Sequence, residues 1–179
     1  AFVRGIAHDG DPDDPVAHVA GVFMTIAGDP GGTKRLAASP PPAPASMQAA
    51  EMTPGLTTYA EALGLRRAGE EQGTPLLAVD FGPNVEGRPG HFHGGAMAGL
   101  LESAGYDALQ AALTAEGRAP VMKPINITVQ YLAAGKSKPS FAVGRITRLG
   151  RRNANVAVEA WQDDRTRPIA TAVMNILMV

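Results

Sequence analysis

The arrangement in this chain best suited to chemistry is a carboxylate on a helix that opens at two glycines. In HFHGGAMAGLLESAGYDAL, residues 91–109, Gly94 and Gly95 begin a helical run directly after His93. The first N–H groups of a helix have no partner within it and sit at the positive end of its dipole, and here no side chain obstructs a ligand oxygen. Nine positions after His93 (102 − 93 = 9) stands Glu102, with Ala98, Gly99, Gly105 and Tyr106 as its neighbours three and four positions away. Three of those four are very small, so the Glu102 side is a shallow track where a ligand can approach. The larger Met97, Leu100, Leu101, Leu109 and Leu113 fall mostly on other arcs. Donors for an oxygen anion beside a carboxylate suit acyl transfer. A lone helical glutamate otherwise simply faces water.

These residues need a helix and something to pack it. The pattern predicts a central helix from 94 to about 114 and an antiparallel sheet from about 76–82, 121–132, 140–149, 153–161 and 168–178. The turns between those runs are too short for parallel crossovers, which need a dozen or more residues. One helix followed by a meander is an α+β pattern in which the sheet wraps the helix. Upstream, LTTYAEALGLRR opens a short helix with Thr57 or Thr58 as N-cap, and TPLLAVDFG reads as a strand. Such a sheet covers one side of the helix, so a homodimer or higher even oligomer is expected, with the site at a subunit interface.

Composition narrows the function classes. The 179 residues have a formal net charge of −1 with no block of Lys and Arg, which argues against nucleic acid as a partner. There is no cysteine, hence no disulfide or thiolate chemistry. No apolar run approaches the ~20 residues of a membrane span, and a cytoplasmic chain without membrane association is expected.

Residues 29–51, rich in Pro, Ala and Gly, read as a linker between residues 1–28 and a domain at 52–179. The first 26 residues align with the last 26 at a constant offset of 153, pairing Val3 with Val156, Ala7 with Ala160, Asp11 with Asp164, Pro15 with Pro168 and Ala17 with Ala170. Both copies read as strand, turn, strand. Either two hairpins agree by chance, or residues 1–28 are the closing hairpin of a preceding domain of the same fold.

Taken together, HGGAMAGLLE, INITVQYLAAG, RLGRRNANV and PIATAVMNILM, in that order, resemble hotdog-fold acyl-CoA thioesterases of the PaaI-like type, in the 4-hydroxybenzoyl-CoA thioesterase superfamily. The resemblance covers 52–179. It implies a hotdog fold and hydrolysis of an acyl-CoA to free acid and CoA. Glu102 would then be the base or nucleophile, and the backbone of Gly95 with Gly94, at the turn formed by His93, would polarise the thioester carbonyl. No separate cofactor and no metal is implied, CoA being part of the substrate. Partnering by tandem hotdog units is an alternative to the homodimer.

The sequence departs from the family where many relatives carry Asn six positions before the histidine, because Gly87 stands there and the nearest Asn is Asn84. The ring of His93 either fixes the turn or moves a proton, and His91 reads as a loop residue. Asn126, Thr128 and Gln130 alternate onto one strand face, which either lines the acyl or pantetheine path from the other subunit or is solvated. For the phosphates of CoA the candidates are Arg148, Arg151 and Arg152 around Gly150, with Lys136 and Lys138 as further cations. Two other functions compete with hydrolysis. One is a catalytically silent acyl-CoA-binding module. The other is a hotdog dehydratase or hydratase, suggested by GHF at 90–92, although the acid expected fourteen positions after that histidine falls on Gly105.

Overall fold

The computed structural model describes residues 2–22 and 57–179, which fall in two units divided between Met47 and Gln48. The linker expected at 29–51 lies outside the described residues. The first unit is an antiparallel hairpin of β1 (Phe2–His8) and β2 (Pro15–Val22).

The second unit runs α1 (Thr58–Ala62), β3 (Arg66–Glu71), β4 (Thr74–Val79), α2 (Gly94–Ala115), β5 (Met122–Tyr131), β6 (Ser140–Leu149), β7 (Asn153–Trp161) and β8 (Ala170–Met178). Six strands form one sheet in the order β3-β4-β6-β7-β8-β5, and every neighbouring pair is antiparallel. The expected architecture of one long helix against an antiparallel sheet is therefore what forms.

One element departs from the sequence reading. Thr57 caps α1 as expected, its hydroxyl accepting the Ala60 N–H at 3.2 Å, but the helix stops at Ala62 and Arg66–Glu71 pair with β4 as a strand. Gly64 leaves the helix at φ +78°, and Gln72 and Gly73, at φ 52° and 76°, form a two-residue turn with both centres left-handed, the geometry that matches the twist of a hairpin. The polar sequence RRAGEE carries no alternation to mark it as a strand, since an edge strand over solvent needs none.

Alternation on β7 and β8 builds the core. Ala154, Val156, Val158 and Ala160, with Ala170, Ala172, Met174 and Ile176, are all buried and turn toward α2. Against them lie Leu100, Leu101, Ala104, Ala108 and Leu109 of the helix. Small residues set the spacing. A Cβ added to Gly144 of β6 would fall 2.7 Å from the Ala108 Cβ and 2.8 Å from the Ala104 carbonyl oxygen. The helix ends at Gly117, φ +67°, where the Arg118 N–H bonds the Leu113 carbonyl at 2.8 Å and the Gly117 N–H that of Thr114 at 3.0 Å, a Schellman closure.

Gly144→Ala should therefore act as overpacking, because the atoms it meets include backbone that cannot rotate away. We expect a loss of about 1–3 kcal/mol in denaturant unfolding, and stability equal to wild type would contradict this close approach.

Candidate active site

The start of α2 is fixed by its own cap. His93 lies in extended conformation (φ −71°, ψ 132°), its N–H donates to the Val85 carbonyl at 2.7 Å, and its Nδ1 accepts the Gly95 N–H at 3.0 Å. An accepting Nδ1 places the ring proton on Nε2. The histidine thus acts as an N-cap in place of the usual hydroxyl or carboxylate. This bond occupies the Gly95 donor, and the Gly94 N–H has no acceptor among the described residues. Tyr131, near the end of β5, donates its hydroxyl to the Gly94 carbonyl at 2.8 Å. A depression of about 360 Å³ lies beside this turn, bounded by Phe92, Gly94, Met97, Tyr131 and Gly135 among others.

Glu102 lies two turns further along, half-buried, in a separate cleft of about 550 Å³ lined by Tyr59, Ser103, Tyr106, Asp107, Gln110 and Met122 among others. Among the described residues its carboxylate has no hydrogen-bond or ion-pair partner. Burial pushes its pKa above the ordinary glutamate value. Tyr106, one turn on, has its phenol pushed up to about 12 by burial and by the Glu102 charge, so it is neutral throughout the physiological range.

The same helix carries a second carboxylate, Asp107, which the sequence reading passed over. Arg67 of β3 grips both of its oxygens, with Nε 2.9 Å from Oδ2 and Nη2 on Oδ1. This pairing also raises the Arg67 pKa. Two carboxylates in one cleft therefore have opposite fates, Asp107 neutralised by a guanidinium and Glu102 left available. Asp107 sits five positions after Glu102, but no local signal in the sequence joins it to Arg67, forty positions earlier.

The small residues around Glu102 are not all open. Gly99 admits Tyr59 of α1 and Leu63 just past it, whose atoms would stand 2.7–2.8 Å from an added Cβ, and Gly105 faces Met174 and Val158 of the sheet. The shallow track expected from the sequence is thus filled by the chain itself at both glycines, and the cleft opens at Ser103, Tyr106 and Gln110 instead.

The other candidates separate. Asn84 donates its amide to the Ala62 carbonyl at 3.2 Å, tying the loop before α2 to α1. Asn126, Thr128 and Gln130 stand opposite Asn175, Val173 and Thr171, on the sheet face turned away from α2. Lys136 pairs through its backbone with His91 at the Gly94 end, and Lys138 pairs with Asp163 at 2.5 Å. His91 and Arg88 line a further depression of about 260 Å³ there, and Arg88 is a cation the sequence reading did not name. Arg148, Arg151 and Arg152 are at the opposite end, where Arg118, just past α2, bonds the Gly150 and Arg151 carbonyls at 3.3 and 3.1 Å. Among the described residues no helix is long and apolar enough to cross a membrane.

Known proteins bear on this arrangement. A family model described as an acyl-CoA thioesterase N-terminal domain matches residues 85–177. No curated protein matches significantly. A solved protein from Chromobacterium violaceum is 32% identical, with 68% of this chain and 82% of that one covered and a TM-score of 0.55. A thioesterase from Haemophilus influenzae is 15% identical, with 68% and 82% covered and a TM-score of 0.61. A mutant thioesterase from Pseudomonas aeruginosa is 21% identical, with 68% and 85% covered and a TM-score of 0.57. At those identities the last two speak for the fold alone.

The ion pair yields a stability test. Arg67→Met leaves the buried Asp107 carboxylate without its main partner and should cost roughly 3 kcal/mol, the low end for a broken buried pair because Arg67 is partly wet. In R67M/D107L most of that loss should return on chemical unfolding. A single variant as stable as wild type would show that the pair does not hold β3 to the helix.

Proposed function

The chain belongs to the hotdog-fold acyl-CoA thioesterase family, and from that membership we propose that it hydrolyses an acyl-CoA to the free acid and CoA, with Glu102 acting on the thioester as general base or nucleophile. The observation that carries this reading is Glu102 itself, a half-buried carboxylate without a partner among the described residues, in a cleft where Asp107 is already neutralised. Burial raises its pKa and so its basicity, which suits a group that must take a proton from water or attack a carbonyl carbon.

A helix rises about 1.5 Å per residue, so the seven residues from Gly95 to Glu102 span roughly 10 Å. That is long for one thioester group to touch both, and it favours a site shared between two protomers. β5 offers the means. It is an edge strand of ten residues, with Ile125 62% and Tyr131 57% exposed, and such an edge calls for a cover. Met122, at its start, lines the Glu102 cleft, while Tyr131, at its end, touches Gly94. Antiparallel pairing of β5 with its copy in a homodimer would bring the helix start of one protomer to the Glu102 cleft of the other. The free Gly94 N–H would then polarise the carbonyl, and the Gly95 N–H would join it if the His93 ring swung away. The same pairing would set the Arg148, Arg151 and Arg152 turn of one protomer near the end that holds the partner copy's Lys136, giving cations from both chains for the CoA phosphates.

Release of free thiol from a panel of acyl-CoAs tests the activity. Glu102→Gln keeps the shape but removes the base, and turnover should fall by at least ~10²-fold while acyl-CoA still binds. In the wild type only the ionised carboxylate works. Activity is therefore lost as pH falls through the raised pKa, and the acid limb of kcat should lie above the ordinary value of 4.5. Wild-type release by the variant would remove Glu102 from the mechanism, and binding without release by the wild type would make the chain a silent acyl-CoA module.

Sharing has its own test. Proline is tolerated at the first helical position, where it deletes a free N–H, so Gly94→Pro should fold and be nearly inactive. Mixing G94P with E102Q protomers should restore about a quarter of wild-type activity, because half the dimers are mixed and each has one intact site. No recovery on subunit exchange would put both groups of each site in one chain.

A further inference from the structure

Among the described residues the β1–β2 hairpin has no packing that accounts for its sequence. Val3 is 50%, Val19 60% and Phe2 59% exposed, and a free two-stranded hairpin is marginal in water. Its register carries more information than its exposure. Pairs run without interruption from Phe2↔Val22 to Ala7↔Ala17, and adding 153 to each residue gives Asn155↔Asn175 to Ala160↔Ala170, six register pairs of β7 and β8 in succession. The sequence repeat is thus also a repeat of strand pairing.

The identities fall where packing would select them. Val156, Ala160 and Ala170 face α2 and are buried, and their counterparts are the identical Val3, Ala7 and Ala17. The other two identities, Asp11 with Asp164 and Pro15 with Pro168, are at the turn. On the outer face nothing is kept. Arg4, Ile6 and His18 stand for Ala157, Glu159 and Thr171. Two hairpins alike by chance would have no reason to agree on the helix-facing side alone.

We propose that β1 and β2 are the closing hairpin of a second hotdog unit, whose central helix lies earlier in the same polypeptide. α2 is already covered at the equivalent position by β7 and β8, and the α2 of a second copy by its own, so neither is the missing helix. The missing helix has a definable shape. Gly105 makes room for Met174 and Val158, and those two positions are Gly21 and Gly5 in the first hairpin. The volume is therefore exchanged between layers, and the helix over β1 and β2 carries a large apolar residue at the place of Gly105.

The test uses the whole polypeptide encoded by the gene. Val3 and Ile6 are 50% and 48% exposed here, so on a bare hairpin Asp at either position would act alike. Under a covering helix, Val3→Asp should lower the melting temperature by several degrees while Ile6→Asp shifts it by about a degree or less. Equal shifts overturn the proposal. So does an upstream reading frame that closes before encoding a helix with a large apolar residue at the Gly105 equivalent. Neither outcome bears on Glu102, so this proposal and the thioesterase reading fail separately.

Discussion

The structure of the second unit rests on how closely α2 lies against its sheet. Gly144, Ala104 and Ala108 meet with no room for another carbon, and Gly105 is filled from the sheet side by Met174 and Val158. That contact fixes the rotation of the helix about its axis. With the small residues turned to β6, β7 and β8, the arc holding Glu102, Ser103, Tyr106 and Gln110 can only face away from the sheet's centre, where strands no longer cover it. The cleft is thus a by-product of the packing that stabilises the core.

Once the helix is oriented, its polar residues are sorted by what reaches them. β3, the outermost strand on one edge, extends Arg67 to Asp107 and removes that charge from the chemistry. Nothing in the described chain reaches Glu102 in the same way. A half-buried carboxylate without a partner is costly to ionise, and its raised pKa expresses that cost. At the start of the same helix, His93 and Tyr131 fix the glycine turn from both sides, one through the Gly95 N–H and the other through the Gly94 carbonyl. Among the described residues the Gly94 N–H of that turn has no acceptor.

The two edges of the sheet are treated differently. β3 is charged and tied down by Arg67, and Arg165, from the β7–β8 turn, joins Glu71 at its end to Glu159 and lies 4.2 Å over the Trp161 ring. β5 keeps Ile125, Ile127 and Tyr131 exposed along a free edge. The first edge is protected against pairing, and the second is open to it.

Much of this was legible in the sequence because it depends on local periodicity. The bounds of α2, the alternation of β7 and β8, a cap at Thr57 or Thr58 and the choice of Glu102 as a candidate follow from residue types at fixed spacings. What stayed hidden depends on contacts between distant positions. The start of β3, Arg66 and Arg67, reads as the tail of a helix until the Gln72–Gly73 turn folds the strand onto β4. The Asp107 pairing is invisible until that strand is in place, and Gly99 looks open until α1 fills it. The five candidate cations look like one group in sequence and lie at two ends of the fold, because β6 runs the length of the sheet between them. Which residues can carry charge or expose backbone is a property of each residue and is readable along the chain. Which of the two carboxylates stays free depends on what side chain arrives from elsewhere, and folding settles it.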